Sequence, residues 1–150
     1  MKKTISKVLA LMMCLIMAGA LSACGSKDKV YKVSTEPTYP PFDTTNKDGD
    51  IVGFDMDLMK AIAKDQGFKV EFESLEFDAL IPALKSDSTD IVIAGMNVTP
   101  ERAKQVAFSD PYYKTGIVVL VKKDNTTITG WDSFTSGSGL KVAAQTGTSQ

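Results

Sequence analysis

The sequence predicts an α/β domain built on a largely parallel sheet, and three observations predict it. Val30–Ser34 and Lys69–Ser74 alternate apolar and polar residues as half-buried strands do, whereas Phe54–Gln66 and Phe77–Lys85 place apolar residues at helical spacing. Asp90-Ile-Val-Ile-Ala-Gly95 is a continuous apolar run, the pattern of a strand covered on both faces. Strands and helices alternate along the chain, which is the order of a parallel sheet with crossover helices.

The first residues read as an export signal. Three lysines precede or open an apolar run from Val8 to Leu21, with no acid among them. That run is 14 residues long, short of the ~20 that a membrane-spanning helix needs. Leu21-Ser22-Ala23-Cys24 resembles the lipobox of bacterial lipoproteins, which implies a signal peptide over residues 1–23 and a lipidated Cys24. Cys14 lies within the segment to be removed, so the mature chain keeps one cysteine and forms no internal disulfide. Two acyl chains on Cys24 would hold the protein stably to a membrane, where a single chain holds only marginally.

Residues 24–29 form a polar tether, and Val30–Ser34 is the first strand. Glu36–Asn46 holds three prolines and reads as a loop. Asp48-Gly-Asp50 is a turn whose flanks are able to pair as a hairpin. The helix over Phe54–Gln66 presents Phe54, Leu58, Ala61 and Ile62 on one face, and Gly67 closes it. Lys69–Ser74 is the second strand. The helix over Phe77–Lys85 carries Leu80, Ile81 and Leu84, and the buried strand at Asp90–Gly95 follows. Thr99-Pro100-Glu101 starts another helix, with threonine as cap, proline at the first position and an acid in the first turn. Asp110–Tyr113 is a loop, Gly116–Lys122 a strand, Trp131–Phe134 a short helix and Leu140–Ala144 a last strand. The closing Gly/Thr/Ser turn normally leads into a further element, so the sequence is expected to be part of a longer one.

Composition narrows the chemistry. There is no histidine, which excludes Ser-His-Asp and Cys-His catalytic sets and His-based metal sites within this chain. Without residues 1–23 the chain has 14 basic and 18 acidic residues, a net charge of −4 with no basic block. Nucleic acid is therefore not an expected partner. Asp48, Asp50, Asp55 and Asp57 lack the spacing of a calcium loop and read as turn and helix-start charges. No metal and no cofactor are expected.

Arg102, the only arginine, stands in the first turn of a capped helix that follows a strand ending at Gly95. Ligands collect at the carboxyl ends of strands in open α/β sheets. A cation opposes the helix dipole at that position, and pairing with a carboxylate supplies a reason for it. The alternative is a surface arginine paired with Glu101 or Asp110. Tyr39 and Phe77 follow the first and second strands at the same edge, where two rings are suited to sandwich a ligand. The alternative for them is ordinary core packing.

Five motifs occur in order: Glu36-Pro-Thr-Tyr-Pro-Pro-Phe42, Val52-Gly-Phe-Asp-Met-Asp-Leu58, Phe77-Asp-Ala-Leu-Ile-Pro-Ala-Leu84, Gly95-Met-Asn-Val-Thr-Pro-Glu-Arg102 and Phe108-Ser-Asp-Pro-Tyr-Tyr113. Together they resemble the amino-acid-specific solute-binding proteins of bacterial ATP-driven importers. The resemblance implies the two-lobed, hinge-closing periplasmic-binding-protein-like II fold. Residues 30–118 would be lobe one without its return segment, 116–122 the first hinge strand and 125–150 the start of lobe two. It implies that Arg102 and Thr148 hold a ligand α-carboxylate. The Ala94–Gly95 backbone and Asn97 would receive its polar head, although family members often carry Ser or Thr where this chain has Asn97. Tyr39 and Phe77 would enclose the ligand side chain, Glu36 and Gln145 would read its far end, and Ser149 would complete the site. It further implies a polar amino acid as ligand, a membrane permease as partner and a monomer on the extracytoplasmic face of the membrane. An enzyme of the same scaffold, dehydratase-like, and a ligand-sensing domain are the competing readings. The missing histidine and the lone arginine favour binding over catalysis. The lipobox reading predicts that Cys24→Ala moves the full-length protein from the membrane to the soluble fraction; a variant that stays membrane-bound contradicts it.

Overall fold

The computed structural model describes residues 29–134 and 138–149. The signal segment, Cys24 and most of the tether therefore lie outside the described residues. β1 (Val30–Thr35) is the middle strand of a parallel three-stranded sheet. On one side it pairs with β5 (Lys69–Ser74), from Val30 opposite Lys69 to Thr35 opposite Ser74. On the other it pairs with β6 (Ile91–Val92), Val33 opposite Ile91 and Ser34 opposite Val92. Burial deepens along β1, from an exposed Val30 to fully covered Val33, Ser34 and Thr35.

The segment expected to be a loop after β1 instead contains two short strands. β2 (Thr38–Tyr39) and β3 (Asp43–Thr45) pair antiparallel, and β3 pairs in turn with β4 (Ile51–Val52). The prolines at positions 40 and 41 form the bend between β2 and β3, so they interrupt pairing without preventing it on either side. The predicted turn at 48–50 is present. The Asn46 side-chain carbonyl accepts from the N–H groups of Asp48 and Asp50 at 2.9 Å each, an Asx-type closure.

α1 (Phe54–Gln66) carries Asp55 and Asp57 in its first turn and Lys64 in its last, as the helix dipole favours. Gly67 closes it in the left-handed region, φ 72°. Its buried stripe differs from the sequence reading. Asp55, Met56, Met59 and Ala63 face the sheet, while Phe54 and Ile62 are exposed and Ala61 is also on the outside. The physical reason lies in competing partners. Phe54 is drawn to Phe42, Tyr112 and Tyr113, with ring centroids 6.1–6.2 Å away, and the flexible methionines fill the space over the sheet. Met56, Met59, Val33 and Ile93 form the core, backed by Ile51, Leu58, Phe68, Val70, Phe72 and Ile91.

The next helix begins as a 3₁₀ turn (Phe77–Ala79) and continues as α2 (Leu80–Lys85), with Leu80 fully buried. The strand expected over 90–95 is buried at Ile93 and Ala94, but among the described residues only Ile91 and Val92 ladder, both with β1. α3 (Pro100–Ala103) is capped as predicted, the Arg102 N–H donating to Thr99 Oγ1 at 3.2 Å. The Trp131–Phe134 turn is 3₁₀.

Gly116–Lys122 and Leu140–Ala144 are not strands in this structure. A strand exists through its pairing, and among the described residues no ladder reaches either segment. Val118 and Leu120 are accordingly 84% and 96% exposed. Gly116–Lys122 holds a continuous apolar run, as a strand would, but without a paired neighbour among the described residues the run stays exposed.

Candidate functional site

Parallel pairing places the carboxyl ends of β1, β5 and β6 at one edge of the sheet. The chain leaves these strands at Glu36, at the turn before Phe77 and at Gly95. A cavity of about 430 Å³ opens there. Nine of the ten candidate ligand residues line it: Glu36, Tyr39, Phe77, Ala94, Gly95, Asn97, Gln145, Thr148 and Ser149. Arg102, the tenth, lies behind the wall and is bonded to it.

Arg102 is 92% buried by its 8% exposure. Its Nη1 donates to the Asn97 carbonyl at 2.8 Å and to Asn97 Oδ1 at 2.7 Å, and Nη2 donates to the Gly147 carbonyl at 2.8 Å. The guanidinium carbon sits 5.3 Å from the centroid of Phe77, within cation–π range. Burial pulls its pKa down from the ordinary arginine value. Among the described residues it makes no ion pair with Glu101 or Asp110, so the surface-charge alternative fails. Three of its five N–H donors are used on these acceptors. Among the described residues the Nε donor and one on Nη2 have no acceptor, and neither nitrogen is a sealed, unpartnered atom.

The turn at 145–149 docks onto this arrangement. Gln145 Nε2 donates to Glu36 Oε1 at 2.6 Å, and Ser149 Oγ donates to Asn97 Oδ1 at 3.0 Å. Gly147, at φ 80°, brings its carbonyl to Arg102. A side chain at Gly147 would meet Asp78 at 2.9 Å. Thr148 lines the cavity, but both its hydroxyl and its N–H donate to the Gln145 carbonyl, at 2.8 and 3.3 Å, so they hold the turn together. Tyr39 is 44% exposed and stacks on Phe42 at 5.3 Å, and Phe77 is half-buried beneath the guanidinium. Neither ring is ordinary core. Glu36 is almost buried yet makes no ion pair with Arg102 among the described residues. A carboxylate on the cavity wall and a guanidinium directly behind that wall thus do not neutralise each other among the described residues.

Two acids are buried, Asp43 and Asp55, that the sequence reading does not mark as such. Asp55, read as a helix-start charge, is completely buried. Its Oδ2 accepts from the Gly95 N–H at 2.7 Å and from the Tyr112 hydroxyl at 3.0 Å. Its Oδ1 is the one buried side-chain oxygen or nitrogen without a partner among the described residues. Asp43 is equally buried, accepting from Thr35 Oγ1 at 2.9 Å and from the Tyr39 N–H at 3.0 Å. Burial pushes both carboxyl pKa values up, partly offset by these hydrogen bonds; for Asp43 the neighbouring Asp55 and Glu36 push further in the same direction. Burial and the nearby Asp55 likewise raise the Tyr112 phenol. A signal for Asp55 was available: Met59 and Ala63 stand four and eight residues later, so it sits on the stripe they define. Among the described residues no group of three or more His, Cys, Asp or Glu is placed to hold a metal ion.

A profile of the bacterial extracellular solute-binding proteins, family 3, matches residues 31–148. The chain is 43% identical over 111 residues to the ABC transporter arginine-binding protein 1 of Escherichia coli K12, covering 74% of this chain and 44% of that protein. It is 41% identical over 152 aligned positions to the arginine-binding extracellular protein ArtP of Bacillus subtilis 168, covering 96% and 57%. A solved ancestral arginine-binding protein bound to glutamine shares 55% identity with a TM-score of 0.64, over 66% of this chain and 44% of that one. The chain spans about half the length of the curated relatives it matches.

The raised carboxyl pKa of Asp55 has a measurable sign. When the folded-state value lies above the unfolded one, the ionised form is the costly form. The group then adds stability as pH falls from neutral through the raised folded value, levelling off below the ordinary ~3.9. In thermal melts of the full-length protein, Asp55→Asn should therefore compare best with wild type near neutral pH and lose ground steadily on acidification. The opposite trend would mean that the carboxylate is stabilised as an anion.

Proposed function

Because this chain belongs to the bacterial extracellular solute-binding proteins of family 3, we propose that it captures an amino acid outside the cytoplasm for an ATP-driven importer. The ligand is a zwitterion with a cationic side chain, arginine first, with an amide side chain such as glutamine second. One observation carries this reading. Glu36 lines the cavity, Arg102 lies directly behind its Asn97 wall without pairing with Glu36 among the described residues, and Tyr39 and Phe77 stand at its walls. A ligand that carries a carboxylate, a cation and a flat group satisfies all four. The α-carboxylate takes the two N–H donors that Arg102 retains, side-on, in the bidentate geometry that guanidinium favours. Asn97, already bonded to Nη1 and to Ser149, holds the guanidinium in the plane that contact needs. Ala94 and Gly95 offer backbone at the strand end, and Thr148 holds the turn that carries Gln145 to Glu36.

In the same reading residues 30–118 are lobe one, 116–122 the first hinge strand and 125–150 the start of lobe two. Closure of the two lobes traps the ligand, and the closed form docks on a membrane permease. Cys24 carries the lipid that keeps the receptor, as a monomer, on the extracytoplasmic face. The relatives named above are binding proteins, which supports capture over catalysis.

Isothermal titration of the full-length protein against arginine, histidine, lysine, glutamine and glutamate tests the assignment. Arginine should bind tightest. Glu36→Gln should weaken arginine at least about tenfold, or ~1.4 kcal/mol, while glutamine changes less. Arg102→Lys should weaken every ligand, because an ammonium does not reproduce the fork. Tightest binding of glutamate, or no binding of any amino acid, would contradict the proposal.

A further inference from the structure

Asp43 and Asp55 do not line the cavity, yet each holds the backbone N–H of a residue that does. Asp43 Oδ1 accepts from the Tyr39 N–H at 3.0 Å, and Asp55 Oδ2 accepts from the Gly95 N–H at 2.7 Å. Tyr39 and Gly95 are themselves in contact. A Cβ on Gly95 would stand 3.1 and 3.3 Å from two carbons of the Tyr39 ring, so the ring lies directly on that backbone. Gly95 adopts φ 54°, a backbone conformation that glycine takes without strain.

We propose that Asp43 and Asp55 are positioning residues for ligand capture, a pair of buried carboxylates that fixes Tyr39 against Gly95 and so sets that wall of the cavity. The inference rests on the ligand reading above. A carboxylate suits this task because each oxygen accepts from more than one direction and its bonds to N–H are short and strong. Each acid also ties its cavity residue to a second anchor. Asp43 Oδ2 accepts from Thr35 at the buried end of β1, and Asp55 Oδ2 accepts from Tyr112 on the opposite loop. Burial of Asp55 leaves Oδ1 unpartnered, a cost that apolar packing would avoid. An apolar side chain at either position, however, would orphan the N–H that its acid holds, Gly95's at position 55 and Tyr39's at position 43.

The test compares Asp55→Ala with Asp55→Asn, and Asp43→Ala with Asp43→Asn, in the full-length protein, using arginine, histidine and glutamine as probes. Asparagine keeps an acceptor of the same shape, whereas alanine keeps none. The alanine variants should weaken the probe that wild type binds tightest by about tenfold or more, and the asparagine variants should recover to within about threefold. Alanine variants that melt earlier but bind as wild type would overturn the proposal, since the acids would then support the fold alone. Asparagine variants as weak as alanine would also overturn it, because charge and not position would be at work. A second readout serves if the alanine variants fail to fold. The amide proton resonances of Gly95 and Tyr39 should lie downfield in ligand-free wild type and move upfield in the respective asparagine variants, as a charge-assisted bond becomes a neutral one. Unmoved resonances would refute the mount. If wild type bound none of the three probes, the ligand reading would fail on its own, and these resonances would decide whether the mount exists.

Discussion

The two-sided parallel pairing of β1 is the constraint on which the site depends. Its register with β5 and β6 brings three strand ends to one edge. Each end then contributes a residue of different chemistry: Glu36 a carboxylate, Phe77 a ring, and Gly95 a turn in the left-handed region. None of these is close to the others in sequence. A one-residue slip of either neighbour would move its contribution to the opposite face of the sheet. The core of Val33, Met56, Met59 and Ile93 guards against such a slip by holding α1 on the sheet in one position.

Once the edge is assembled, electrostatics decides what it suits. Arg102 is buried and lowered in pKa by that burial, yet it is bonded only to neutral acceptors, Asn97 and Gly147, among the described residues. Glu36 is bonded to a neutral amide, Gln145. Burying opposite charges, one on the cavity wall and one behind it, without letting them meet costs stability in the folded chain. In the proposed reading it leaves both charges available to a ligand with complementary ends. Beneath them, Asp43 and Asp55 use buried carboxylates on backbone N–H groups, at a further desolvation cost shown by their raised pKa values.

Much of the scaffold was legible in the sequence because local physics dictated it. Alternation predicted β1 and β5, Gly67 predicted the end of α1, and Thr99-Pro100 predicted α3. The turn at 48–50 followed from its Asp-Gly-Asp. Features that depend on tertiary partners were not legible. Phe54 and Ile62 outweighed Met56 and Met59 on hydrophobicity, but aromatic neighbours from residues 42, 112 and 113 rotated the helix. Asp55 carried the signature of a helix-start acid and is in fact part of the buried stripe. Gly116–Lys122 and Leu140–Ala144 have strand patterns, and a pattern without a pairing partner does not make a strand. For the site, the motifs and the family resemblance point to residues that line one cavity, whereas of the two acids behind it Asp43 lies outside every motif and Asp55 lies within Val52–Leu58, where it reads only as a helix-start charge.

The central claim is that the two separated charges on the cavity read the two ends of one amino acid. A crystal structure of the full-length protein with L-arginine tests it most directly. The account predicts the α-carboxylate against the Nε and Nη2 donors of Arg102, and the ligand guanidinium at Glu36 with Tyr39 and Phe77 alongside. A ligand bound in the reverse orientation, or bound away from Arg102, would contradict it.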